Sequence, residues 1–132
     1  MKTLLFAVLA ALVLAVSASA ARAAASGSIT GPNEPGPYAF QDSVSFTTST
    51  SGLKGKQYPM IYLACYSVVD GSLLTGQLDH ADAVFVLGAG SSQWHLQRDD
   101  ANCSATLFAY GGTGQTPYIV QLAAPVWFQA AG

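Results

Sequence analysis

Apolar and polar residues alternate with a period of two along most of the chain beyond residue 40. Asp42 to Ser49 puts Val44 and Phe46 on one side and Ser43, Ser45 and Thr47 on the other, as a half-buried strand does. Tyr58 to Val69 is the longest such run. Ile61, Leu63 and Cys65 share one of its faces, while Tyr62, Ala64 and Tyr66 take the opposite one. Asp70-Gly71 signals a turn, and Ser72 to Gln77 is the strand expected to return from it. Ala83 to Leu87 is apolar on both sides, which predicts a buried strand, with a helical turn as the alternative. Ser92 to Gln97 alternates Trp94 and Leu96 with Gln93, His95 and Gln97, which predicts another strand. Beyond it, Cys103, Ala105, Leu107 and Ala109 line one face and Ser104, Thr106, Phe108 and Tyr110 the other. Pro117 to Ala123 places Tyr118, Val120 and Leu122 together, and Val126 and Phe128 extend the series.

These segments amount to about seven strands, with Gly- and Asp-bearing turns roughly every 8–12 residues, the spacing of an antiparallel sandwich. No amphipathic helix of more than three turns can be placed among them. The fold class expected is therefore all-β, in one domain spanning residues 38–132. Residues 21–37, ending in Gly31-Pro32-Asn33-Glu34-Pro35-Gly36-Pro37, resist both helix and central strand. They read as a flexible lead-in or an edge.

The first 20 residues break the pattern. Met1-Lys2-Thr3 is a short positive start, Leu4 to Val16 is unbroken apolar sequence, and small residues follow up to Ala20. This is the three-part layout of a secretory signal peptide, with cleavage expected between residues 20 and 25. As a helix, Leu4 to Val16 would cover about 20 Å, short of the ~30 Å hydrocarbon core of a bilayer. No cysteine follows to carry a lipid, and the last residues offer no long apolar tail. A secreted or periplasmic protein without a membrane anchor is the expectation.

Charge narrows the partners. Charged residues make up 9% of the chain, well below the roughly 25% typical of globular domains. Beyond Arg22 the cations are Lys54, Lys56 and Arg98. A nucleic-acid partner needs several cations in one patch, and an anionic membrane surface asks for the same. Neither is expected.

Cys65 and Cys103 are the two cysteines, and export would carry them to a compartment where disulfides persist. One bridge between them is expected. The run Asp99-Asp100-Ala101-Asn102-Cys103-Ser104-Ala105, entering a strand at the second cysteine, resembles the corresponding segment of secreted immunoglobulin-like β-sandwich domains of the small bacterial kind. That resemblance implies an immunoglobulin-like, Greek-key sandwich. The chain departs from it in two places. Ala101 stands where antibody domains carry a tyrosine, and no tryptophan lies between Cys65 and Trp94. The short separation of the cysteines leaves a bridge between neighbouring strands of one sheet as open as one between sheets.

Few residues form a set that could carry chemistry. Asp79-His80-Ala81-Asp82 offers two carboxylates and an imidazole to a cation, but lacks the spacing of a calcium loop or the ligand count of a zinc site. Asp99-Asp100 reads as a pair of turn acceptors rather than as convergent catalytic carboxylates. Gly88-Ala89-Gly90-Ser91-Ser92 lacks the frame of a phosphate loop or a serine elbow. Asn102-Cys103-Ser104 matches a glycosylation sequon, a poor acceptor where Cys103 is buried. No catalytic residue, metal or cofactor is expected.

The aromatics point elsewhere. If the two cysteine strands are neighbours, Tyr62, Tyr66, Phe108 and Tyr110 share one sheet face, a plausible contact surface for an extracellular protein or a glycan. The competing expectation is that this face packs a second sheet and the cysteine face lies outside. A second candidate is the loop Ser51 to Gln57, with Lys54 and Lys56, joined by Gly111 to Thr116, acting as an inhibitory or modulatory loop toward an extracellular enzyme. The function expected is that of a non-catalytic binding or structural surface module.

Overall fold

The structure, a computed structural model, describes residues 24–111 and 119–132. The expected signal peptide lies outside them. Among the described residues there are ten strands and one short helix. In chain order they are β1 (Ser26–Thr30), β2 (Tyr38–Ala39), β3 (Ser43–Val44), β4 (Thr47–Ser51), β5 (Tyr58–Ser67), β6 (Leu73–His80), β7 (Phe85–Val86), α1 (Ser92–Gln97), β8 (Ala101–Tyr110), β9 (Ile119–Gln121) and β10 (Val126–Ala131). The protein is all-β, as its alternation predicts. No described helix is long and apolar enough to cross a membrane.

A six-stranded sheet runs in the order β2-β10-β8-β5-β6, with β9 also pairing β8. Its ladders are antiparallel except for β10 with β2, which is parallel. Two small pairs, β1 with β4 and β3 with β7, stand apart from it. Ile61, Leu63 and Cys65 on β5 and Cys103, Ala105, Leu107 and Ala109 on β8 are all buried. They form one core cluster with Ile29, Val44, Phe46, Phe85, Leu87 and Trp94 from the smaller elements. The cysteine face of the large sheet is therefore the inner one.

Cys65 lies directly opposite Cys103 in the β5–β8 ladder, and the two are bridged with their Cα atoms 4.0 Å apart. The bond joins neighbours in one sheet and lies wholly inside the core, since both cysteines are fully buried.

Four segments depart from the expected pattern. Ala83 to Leu87, expected as a buried strand, forms only the two-residue β7 and leaves Val84 63% exposed, because only one side of it meets the core. Ser26–Thr30, inside the stretch read as a flexible lead-in, forms β1 and pairs with β4. Asp42 to Ser49, expected as one strand, is split into β3 and β4. The cause is Ser45, whose carbonyl accepts from Asn33 N and whose N and Oγ both donate to the Glu34 carboxylate. With its backbone groups so engaged, Ser45 has none left for a ladder.

Ser92 to Gln97 is a helix rather than the expected strand. Ser91 caps it, accepting from Trp94 N at 3.1 Å, and Arg98 closes it in the left-handed region at φ 55°. Trp94 alone enters the core, fully buried, while Leu96 is 77% exposed. The Trp94 indole N–H donates to the Asp99 carbonyl at 2.9 Å, which satisfies its one polar atom. Phe40 packs on Trp94 with ring centroids 5.3 Å apart and carries the Arg98 guanidinium 5.0 Å above its own ring. Gly88, at φ +82°, leaves room for the Phe40 ring where a Cβ would collide with it.

The Glu34 carboxyl combines with Ser45 to pin the segment after β1 against β3 and β4. Desolvation opposes its ionisation, but the Ser45 hydrogen bonds outweigh it and hold the pKa below its ordinary 4.5. A lowered folded pKa means that the ionised form stabilises the fold at neutral pH. That contribution is lost as pH falls through the folded value. The difference in Tm between wild type and Glu34→Gln should be steady near neutrality and should narrow as pH falls below the ordinary 4.5 and through the lowered folded value. A difference that persists at lower pH would show that the charge plays no part.

The disulfide closes a loop with a sequence separation of 38, worth about 4 kcal/mol on the chain-entropy estimate. The double variant Cys65→Ala/Cys103→Ala should lose about that much in urea unfolding. A loss under about 1 kcal/mol would show that β5 and β8 hold their register without the bond.

Candidate binding face

With the cysteine face turned inward, the other face of the large sheet looks outward, and it carries most of its bulk in aromatic rings. Tyr62, Tyr66, Phe108 and Tyr110 all stand on it, each half-buried. The β5–β8 register sets Tyr58 opposite Tyr110, Met60 opposite Phe108, Tyr62 opposite Thr106 and Tyr66 opposite Asn102. The same parity carries the face outward on both sides. Leu78 and His80 of β6 sit opposite Tyr62 and Met60. Ile119 and Gln121 of β9 oppose Tyr110 and Phe108. Trp127 and Gln129 of β10 oppose Ser104 and Asn102.

The rings gather in two groups. At one end Tyr58 meets Tyr110 edge-on, centroids 5.6 Å apart, and His80 lies against Tyr58 at the same separation. At the other end Tyr66 and Trp127 are 6.5 Å apart and tilted by 36°. Between the groups the Tyr62 ring lies across Gly76 of the neighbouring strand, in space that a side chain there would fill. Tyr62, Leu78, Phe108, Tyr110 and Ile119 line an apolar cleft of about 230 Å³. Leu78, Ile119 and Trp127 are 50%, 57% and 60% exposed. None of these positions is Lys, Arg, Asp or Glu.

Tyr58, Leu78, Ile119 and Trp127 belong to this face although sequence reasoning did not name them. Tyr58 was within reach, because it shares the parity of Tyr62 and Tyr66 on one strand. The other three depend on how β6, β9 and β10 register against β5 and β8, which alternation within a single strand does not specify.

The remaining candidates are placed apart. Lys54 and Lys56 are exposed on a loop held by Gln57 N donating to the Lys54 carbonyl and Lys54 N donating to Gln57 Oε1. The Lys56 carbonyl approaches Gly111, which follows Tyr110, so this loop borders the Tyr58–Tyr110 end of the face. Residues 112–118, most of the second candidate loop, lie outside the described residues. The Asp99 carboxylate accepts from Ser67 Oγ at 2.6 Å, and that of Asp100 from Gly132 N at 3.0 Å. The two therefore diverge. Asp79 accepts from the backbone of His80, and among the described residues no three His, Cys, Asp or Glu side chains gather as a cation site would need. Ser91 Oγ donates to the Leu74 carbonyl, and His95 lies against Phe40. Asn102 of the sequon is exposed, at the start of β8 and opposite Tyr66.

The two tryptophans offer a direct check on the face. Trp94 is sealed in the core and Trp127 stands open. Acrylamide should quench about half of the tryptophan emission, and Trp127→Phe should abolish the quenchable part. Equal protection of both residues would mean that the face is covered.

No protein-family model, curated protein or solved structure matches this chain.

Proposed function

We propose that the chain is an exported, non-catalytic β protein that acts by binding an extracellular partner on the aromatic face of its large sheet. The observation that carries this reading is the distribution of bulk across β8. The inner face is built largely from small side chains, Ala101, Cys103, Ala105 and Ala109, while Phe108 and Tyr110 point outward. Rings in contact with water contribute less to stability than rings in the core. Exposed apolar patches rimmed by polar residues are typical of interaction surfaces. Tyrosine and tryptophan suit such surfaces because each joins a broad apolar body to a polar handle.

Export rests on the signal-peptide layout of the first 20 residues and on the disulfide between Cys65 and Cys103. The immunoglobulin-like form of the sandwich goes with this proposal. Its support is the number of short, mostly antiparallel strands, since the disulfide joins neighbours of one sheet. A second reading, modulation of an enzyme through the Lys54–Lys56 loop, is favoured by the exposure of both lysines beside the Tyr58–Tyr110 end.

The two readings separate in a crosslinking experiment on the exported protein. A photo-reactive residue replaces Thr106, in the middle of the face, or Lys54, on the loop. A crosslinked adduct from position 106 and none from 54 supports the face, and the reverse pattern supports the loop. Adducts from neither position would overturn both. Intact mass of the same material should show the loss of residues 1–20, or of up to five more, and an oxidised cysteine pair.

A further inference from the structure

Resting on the reading of the aromatic face as a binding surface, we infer that its ligand is an uncharged, extended polysaccharide lying along β5 and β8. Three features of the face point to it. First, the face carries no Lys, Arg, Asp or Glu among the described residues that form it, so it complements a ligand without charge. An acidic glycan or a charged peptide would be desolvated against it with no counter-charge.

Second, polar and aromatic groups are interleaved. Tyr62 stands directly opposite the Thr106 hydroxyl and Tyr66 opposite the Asn102 amide, with Gln129 flanking Asn102. A protein interface typically concentrates apolar residues at its centre and polar ones at its rim. A pyranose ring asks for a different arrangement, an aromatic surface under its C–H face and a hydrogen-bonding side chain at its edge. Tyr62 and Tyr66 each have such a partner beside them, whereas Tyr58 faces the Tyr110 ring.

Third, the arrangement repeats. Tyr58, Tyr62 and Tyr66 recur every fourth residue on β5, about 13 Å apart and spanning roughly 27 Å from first to last. A repeating platform fits a repeating ligand, and that length holds several linked sugars. Rings spaced along one extended strand suit an extended chain with equatorial linkages better than a coiled one. Sugar faces would stack on Tyr62 at the apolar cleft and on the Tyr66–Trp127 pair, with Thr106, Asn102 and Gln129 meeting ring hydroxyls between them.

The test is retention of the purified protein on microcrystalline cellulose, chitin and insoluble β-mannan, with heparin beads as the charged counterpart. Competition uses soluble oligosaccharides of each neutral type. Retention on at least one neutral polysaccharide, reversal by its own oligosaccharide and quenching of Trp127 emission are expected. Tyr62→Ala and Trp127→Ala should each weaken binding about tenfold or more. Thr106→Val, which keeps the shape and removes the hydroxyl, should weaken it severalfold. Lys54→Ser/Lys56→Ser should leave it unchanged. Circular dichroism and Tm of each variant show that the fold persists.

Failure to bind any neutral polysaccharide overturns the inference, as does retention on heparin alone or binding insensitive to Tyr62→Ala and Trp127→Ala. The broader reading fails separately. If glycans do not bind but concentration-dependent association or a defined protein adduct disappears with Tyr62→Ala, the face binds protein and only the glycan is lost. If the face variants behave as wild type in every assay, both fall.

Discussion

The pairing of β5 with β8 is the constraint on which the rest of the molecule depends. The ladder runs from Tyr58 opposite Tyr110 to Ser67 opposite Ala101, and the Cys65–Cys103 bond ties one rung of it covalently. Because successive side chains of a strand point to opposite faces, a slip of one residue would exchange the two faces entirely. The bond forbids that slip. It holds Ile61, Leu63, Leu107 and Ala109 inside and the tyrosines outside, so stability and the candidate function rest on the same register.

The layer that covers the inner face is irregular. It consists of two short strand pairs, a six-residue helix and the segment that Glu34 and Ser45 tie down. Small residues on β8 allow this layer to approach closely, and Gly27 of β1 lies where an added Cβ would press on Ser49, Leu107 and Leu122. Trp94 supplies much of the missing volume from the helix, wedged under Phe40 with its indole N–H satisfied. The large sheet is thus regular and closes its inner face with small parts, while its outer face keeps its rings free of any described covering element.

Local features acquire their roles from this division. Asp99 and Asp100 hold in place Ser67, the last residue of β5, and Gly132, which follows β10. Ser91 both caps the helix and holds it to the β6 backbone at Leu74. Polar groups that looked like candidates for chemistry thus serve as joints between elements, and the uncharged, ring-lined area lies elsewhere on the sheet.

Much of this was legible in the amino-acid sequence, because period-two alternation is a property of the strand itself. The approximate extent of β5 and β8, the separation of Ile61, Leu63 and Cys65 from Tyr62 and Tyr66, and that of Cys103 and Leu107 from Phe108 and Tyr110 follow from it within each strand, while the sharing of one face by all four rings required β5 and β8 to be neighbours. Tertiary structure decided which of the two faces is covered, since alternation separates faces but does not orient them. It also decided the fate of Ser92 to Gln97. A run of six residues satisfies both periods, and the Ser91 cap together with the single pocket available to Trp94 selected the helix and left Leu96 outside. The membership of Leu78, Ile119 and Trp127 in the face came from cross-strand register, which is set by hydrogen bonds between segments distant in the chain and leaves no mark within any one of them.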